Sequence, residues 1–256
     1  MATWDSVQYL RFATERSRPA RDLMARVPLE APRVVYDLGC GAGNITRLLA
    51  ERWPEAEVIG VDSSPEMLAK ARVGEDGAIQ WQEADLRTWR PARPAELFFS
   101  NAALQWLDDH ASVFPHLAGL LAPGAVLAVQ MPRNQREPSH ALMRETIENG
   151  PWAARLKPLM RPEPVATPEA YYDWLSPVVL RLEVWETIYW QVLDGHNPVV
   201  EFTKGTALRP FLEALEGEER QAFLDTYAKR VLAAYPPRPD GRTLFPFRRL
   251  FIVATC

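Results

Sequence analysis

Apolar positions in the first half of the chain come in short dense runs, each followed by a stretch where they recur at helical spacing. Val34, Val35 and Tyr36 form the first run, ending at Asp37, and Ile45, Leu48, Leu49 and Trp53 then share one helical face. Val58–Val61 ends at Asp62. Ser63-Ser64-Pro65-Glu66 opens the next helix, with a serine cap, proline in the first turn and a glutamate reaching back. Ile79–Gln82 is a weaker run before Glu83-Ala84-Asp85, and Leu97–Phe99 ends at Ser100-Asn101. Ser112–Leu121 reads as a helix closed by Pro123-Gly124, and Ala125–Met131 as a fifth strand. Near-continuous apolar strands alternating with helices predict right-handed βαβ units, hence a parallel sheet covered on both faces.

The second half changes pattern. Ser139–Asn149 is helical, and the proline-rich stretch 151–168 predicts an irregular surface connection. Leu180, Leu182 and Val184 alternate with Arg181 and Glu183 as an amphipathic strand; Leu250–Ala254 is the closing strand. Between them lie two helix patterns, Phe211–Leu215 and Phe223–Ala234. No internal repeat is visible.

Composition narrows the function classes. Of 256 residues, 47% are hydrophobic and 24% charged, as in ordinary globular proteins. The length accommodates one elaborated α/β domain as well as two. Acids outnumber bases 33 to 29, a formal charge of −4, which argues against a nucleic-acid partner. It leaves an anionic small molecule open, because a few local arginines suffice. Cys40 and Cys256 fit neither a disulfide framework nor a metal quartet, and predict reduced thiols in a cytoplasmic protein. Met1–Leu10 has no apolar core of a signal peptide. The longest uncharged run, Ala111–Pro132, is broken by Pro115, Pro123 and Gly124, so no membrane span is expected.

The chemistry is concentrated in Asp37-Leu38-Gly39-Cys40-Gly41-Ala42-Gly43, between the first strand and first helix. Alternate glycines permit a tight turn and let a ligand approach backbone N–H groups at a helix start. The spacing departs from the dinucleotide fingerprint, which needs glycine or alanine where Asn44 stands. Asp37 would repel a pyrophosphate and attract an ammonium group. The loop therefore favours a nucleoside carrying a cationic amine. Asp62, ending the second strand, is placed to accept ribose hydroxyls; Asp85, after the third, to accept from an adenine amino group, with the Leu86 amide beside it. Each aspartate alone is equally a turn residue or helix cap. At three successive strand ends they trace one extended ligand.

Asp37–Gly43 with Asp62, Asp85 and Asn101 resembles the S-adenosylmethionine site of class I methyltransferases, over Val34–Met131. A closer resemblance spans nearly the whole chain. Trp4-Asp5, Tyr9, Glu15–Pro19, Ser100–Leu107, Ala128–Pro132 and Leu250–Ala254 are similar to the trans-aconitate methyltransferase family. Departures are Ala42, where many relatives carry proline, and the stretch 151–168. The resemblance implies an α/β Rossmann-like sheet, parallel with one antiparallel strand near the end, flanked by helices. It implies a single methyltransferase domain over 1–256 with an N-terminal flap, 1–28, and a helical lid insertion, about 192–247. The cofactor would be S-adenosylmethionine, bound by Asp37, Gly39, Cys40, Gly41, Asp62, Ser63, Asp85, Leu86 and Asn101, with Arg18 from the flap. The partner would be a small tricarboxylate, with no nucleic acid or membrane, and the protein a monomer.

A carboxylate is already ionised at neutral pH, since its pKa is about 4. Its esterification needs positioning and no general base, and no catalytic triad is visible. Recognising a tricarboxylate needs arginines, whose forks match carboxylates. Arg144, Arg209 and Arg249 are the substrate candidates, with Arg133 and Arg248 behind them. Any of them can equally be a surface charge. Trp106 lines the methyl pocket or packs; His110 touches substrate or opens a helix. Trp4, Tyr9 and Phe12, interleaved with Arg11, Arg16 and Arg18, form a flap over the cofactor or a helix packed on the sheet. Rival readings are a methyltransferase for an amine, phenol or other metabolite, a non-enzymatic S-adenosylmethionine-binding protein, and a nicotinamide oxidoreductase.

Overall fold

A computed structural model of the protein describes residues 13–73 and 77–256. In chain order the elements begin with α1 (Ala13–Met24), β1 (Val34–Leu38), α2 (Asn44–Arg52), β2 (Glu57–Asp62), α3 (Pro65–Ala71), β3 (Ile79–Glu83) and β4 (Leu97–Asn101). There follow α4 (His110–Gly119), β5 (Val126–Pro132), α5 (Pro138–Asn149), α6 (Ala153–Leu156), α7 (Pro168–Leu175) and β6 (Arg181–Leu193). The chain ends with α8 (Pro198–Lys204), α9 (Arg209–Glu213), α10 (Gly217–Ala234) and β7 (Thr243–Thr255). Among the described residues the strands make one 7-stranded sheet, ordered β3-β2-β1-β4-β5-β7-β6. The β3, β2, β1, β4 and β5 ladders are parallel, and β7 pairs antiparallel with β5. The expected mixed sheet is present.

Two compact units divide the chain. One holds the described residues up to Pro132, Pro164–Thr187 and Arg249–Cys256; the other holds Arg133–Glu163 and Ile188–Arg248. In the first, alternate strand residues face opposite ways. Tyr36, Leu38, Ile59, Val61, Phe98, Leu127 and Val129 build a core with Val113, Phe114 and Leu117 of α4 and Tyr171 and Leu175 of α7. Burying each large side chain contributes about 1.5–3 kcal/mol. By the same alternation Asp37, Phe99, Asn101 and Gln130 point to the other face, where α1 packs on β5 through a helix whose Ala20 and Leu23 are fully buried.

The second unit pairs α5 with α10. The Tyr227 hydroxyl donates to the Ser139 carbonyl at 3.0 Å, and the Ser139 N–H donates to the Tyr235 hydroxyl at 3.1 Å. The expected insertion 192–247 thus forms its unit together with residues 133–163, which the pattern left outside it.

Several boundaries move. The sixth strand runs on to Leu193, because hydrogen bonding to β7 continues where Glu186 interrupts the apolar alternation. The closing strand begins at Thr243, well before Leu250. α8 is too short to show a period, although Pro198 marks its first turn and Val199, Val200 and Thr203 are buried. The stretch 151–168 is not wholly irregular: it holds α6 and a 3-10 turn, Lys157–Leu159, and ends where the Thr167 side chain caps α7.

Candidate active site

The sheet order reverses between β1 and β4, so the loops leaving their C-terminal ends part and open a crevice, where open α/β sheets bind ligands. Gly39 starts the β1 loop at φ +78, and a Cβ there would lie 2.2 Å from the Ala103 Cβ. Both its backbone conformation and the closeness of the β4 loop demand glycine. The loop's N–H groups are then spent internally. Gly39 and Cys40 donate to the Val61 carbonyl at 2.8 and 3.0 Å, and Gly43 donates to the Cys40 carbonyl at 3.0 Å. Gly41 donates to Asp62 Oδ2 at 2.8 Å. The expectation that these amides receive a ligand is corrected: four of them are engaged. A pyrophosphate would need them, so the loop is a shaped recess and not an anion cradle.

Asp62 takes the N–H of Ser64 on its other oxygen at 2.8 Å. Each carboxylate oxygen keeps a lone pair beyond these bonds, so the side chain is held in place with acceptor capacity left for two hydroxyls. Asp37 is 1% exposed, and its Oδ2 accepts from the Thr46 hydroxyl at 2.7 Å. Burial pushes its pKa up to about 7, against the Thr46 hydrogen bond and with a further push from Asp62. A cation nearby would reverse that shift.

Trp81 of β3 underlies the loop. Its ring sits where a Cβ on Gly60 or Gly43 would fall, at 2.6 and 2.4 Å, and the Arg47 guanidinium lies 5.8 Å from the ring centroid. Burial, then the Asp37 and Asp62 carboxylates, raise the Cys40 thiol, so it stays neutral and serves packing. Ser63 is exposed beside Asp62, and Ser64 caps α3. Asp85 holds Arg87 on both oxygens, which lowers its pKa to about 2, so an adenine amino group would share that carboxylate. Leu86 is buried next to it.

Past β4, Ala102 turns the chain at φ 53, and its N–H donates to the Gln130 carbonyl at 2.9 Å. Trp106 ends a 3-10 turn, Leu104–Trp106, and is 69% exposed. His110 is 4% exposed. Its Nδ1 meets the Tyr171 hydroxyl at 2.6 Å and its Nε2 the Leu104 carbonyl at 2.9 Å. With both nitrogens occupied it braces α4 against α7, and the substrate contact expected of it is corrected to a structural one. Arg249 pairs in register with Pro132, two positions before Phe251, which pairs with Gln130. Arg249 and Gln130 therefore share a face of the sheet.

Arg18 is exposed on α1. Trp4, Tyr9, Arg11 and Phe12, and the side chain of Arg16, lie outside the described residues. Between residues 17 and 24 the chain is the helix α1, which contacts β5. In the second unit, Arg209 makes a helical pair with Glu213 at 2.8 Å with both side chains exposed, the ordinary surface alternative. Arg144 donates to the Gln135 carbonyl at 2.6 Å and lies 3.7 Å from Glu163. Gln130, Thr46 and Trp81 escaped the sequence reading. The signal for Gln130 was there: a lone glutamine in the otherwise apolar run Ala125–Met131.

A family model described as "Methyltransferase domain" matches residues 35–124, the stretch that carries this crevice. A protein of Azoarcus sp. (strain BH72) named trans-aconitate 2-methyltransferase is 56% identical over 254 residues, 99% of each chain. Proteins of the same name from Methylobacterium radiotolerans and Escherichia coli O139:H28 are 50% and 47% identical, covering 99% of this chain and 98% of theirs. The chain belongs to the trans-aconitate 2-methyltransferase family. Among solved structures, the YcgJ protein of Bacillus subtilis matches with a TM-score of 0.60 at 15% identity, over 92% of this chain and 96% of that one. A Haemonchus contortus phosphoethanolamine N-methyltransferase 2 complex with S-adenosylhomocysteine matches with a TM-score of 0.56 at 17% identity, over 93% and 52%. These two show the methyltransferase fold. For a member of this family the spent amides fall into place, because a dinucleotide's pyrophosphate would need them free.

Proposed function

We propose that the protein transfers a methyl group from S-adenosylmethionine to one carboxylate of trans-aconitate, giving the monomethyl ester. The observation that carries this is full-length identity of 56% to an enzyme of that name, joined to a crevice that suits the cofactor. Asp62 would take the ribose hydroxyls, Asp85 and Leu86 the adenine, and Asp37 with Asn101 the ammonium end. The orphaned, buried Asn101 Oδ1 supports that last assignment, since it has an acceptor to offer and no donor among the described residues. Ser63 and Arg18 are proposed at its margins.

When bound, S-adenosylmethionine supplies a methyl on a positively charged sulfur. The acceptor acid is ionised at neutral pH, so the protein's own residues have no proton to remove. Burial lowers His110, and lowers His140 to about 4, which keeps both neutral and unsuited to acid catalysis. What remains is to hold one oxygen in line behind the methyl and exclude water, worth about 7–11 kcal/mol in favourable cases. Arg249, at the edge shared with Gln130, is the proposed carboxylate anchor.

Among the described residues no helix is long and apolar enough to cross a membrane. The free Cys40 and Cys256 support a reducing, cytoplasmic setting, and the acidic balance supports a function without nucleic acid. Incubation with S-adenosylmethionine and a panel of acids, amines and phenols tests the reading. Methyl transfer to trans-aconitate above every amine and phenol is expected; preference for an amine or phenol contradicts it.

A further inference from the structure

Where β4 and β5 end side by side, three carboxamides gather with too few partners. Gln130 is 1% exposed, and neither its Oε1 nor its Nε2 has a hydrogen-bond partner among the described residues. Asn101, opposite it in register, leaves Oδ1 without one. Gln105 donates from Nε2 to the Ala102 carbonyl at 2.7 Å and leaves Oε1 without one. Packing does not call for Gln130. Its strand neighbours are Val126, Leu127, Ala128, Val129 and Met131, and an apolar side chain of its length would fill the same space with no amide to desolvate. Buried amides with no partner at all are rare in native proteins and point to something that pairs them.

The neighbourhood says what that is. The acceptors of this crevice, Asp37, Asp62 and Asn101, suit the hydroxyls and ammonium of the cofactor. A polycarboxylate brings oxygens that need donors. Gln130 Nε2 carries two N–H groups, on the face shared with Arg249. The two donors suit different tasks. A guanidinium fork grips both oxygens of a carboxylate and its full charge. A neutral carboxamide can fix one oxygen and leave the other nucleophilic.

Resting on trans-aconitate as acceptor, we propose that Gln130 positions the carboxylate that is methylated. Its Nε2 donates to one oxygen of that group. The lone pair of the other oxygen forms the bond to the methyl carbon, the electron pair of the broken C–S bond stays on sulfur, and no proton moves. The ester is neutral at that group, so the donated hydrogen bond weakens as the product forms and favours release.

The test uses the full chain with Gln130→Met and Gln130→Glu. Gln130→Met removes the donors at nearly constant volume and folds with unchanged or higher Tm. Its kcat/KM for trans-aconitate falls about ten- to hundredfold, mostly through KM, the range expected for one hydrogen bond to a charged group. Its calorimetric affinity for S-adenosylhomocysteine stays within about twofold of wild type. Gln130→Glu, nearly isosteric, sets like charges together and loses more activity, again with S-adenosylhomocysteine still bound. Unchanged kcat/KM in either variant overturns the inference, as does an equal loss of S-adenosylhomocysteine affinity, which would give the amide to the cofactor. An active wild type with an indifferent Gln130→Met overturns this inference alone. A wild type that binds S-adenosylhomocysteine and leaves trans-aconitate unesterified overturns the substrate reading and this inference with it.

Discussion

Asp37 is a carboxyl group whose burial works against its charge, and its ionisation couples folding to binding. Its pKa is about 7 in the folded protein, against 3.8 for the free side chain. The folded state therefore holds the proton more tightly than the unfolded one. That stabilisation is fully present below the unfolded value and is lost as pH rises through about 7. Asp37→Asn, fixed in the neutral form and still able to accept from Thr46, should flatten the pH dependence of Tm across that window. A cationic ligand pulls the pKa back down, so cofactor binding releases a proton and tightens as pH rises toward neutrality. Calorimetry in buffers of different ionisation enthalpy reads that proton; its persistence in Asp37→Asn would refute the assignment. Gly39 gives a plainer case. Gly39→Ala forces a left-handed alanine against Ala103 and should cost about 1–3 kcal/mol from the backbone alone, read by urea unfolding. Full stability would show that the two loops are free to part.

Among the elements, α4 and α7 are joined through polar atoms inside an apolar layer. The Tyr171 hydroxyl meets His110 and also accepts the Ala166 N–H at 3.4 Å. Phe114 and Tyr171 stand edge to face, centroids 4.8 Å apart. Tyr171→Phe should lower stability by about 1–3 kcal/mol, by stranding the imidazole, with KM for trans-aconitate unchanged. A raised KM with normal stability would return His110 to the substrate. The sequence made β1, β2, β4 and β5 legible because strands buried on both faces are apolar over most of their length. β6 was legible only to Val184: beyond it, both faces mix apolar and polar residues, and the strand exists through its pairing with β7. The aspartates at strand ends were legible as a spatial series, since a parallel sheet places those ends along one edge. Their hydrogen bonds were not. That Asp62 binds the Gly41 amide, and that His110 closes on Tyr171, depends on residues far apart in sequence.

Over the whole molecule, an acidic protein of net charge −4 is assigned a polyanionic substrate. Local arginines must then overcome a repulsive field, and salt screens the local attraction over about 10 Å at 0.1 M. KM for trans-aconitate should rise with ionic strength, most steeply while Arg249 is present. A KM indifferent to salt would deny the ion-pair account. Arg209, paired on its own helix with Glu213, should tolerate alanine with KM within about twofold, as exposed helical pairs contribute little. A large rise in KM would make it a ligand after all.

The decisive measurement is mass spectrometry of the products formed by the purified protein from S-adenosylmethionine and trans-aconitate. The account predicts S-adenosylhomocysteine and a monomethyl ester in equal amounts, with no added base or metal. S-adenosylhomocysteine binding without any ester, or methylation of amines in preference to the acid, would contradict it.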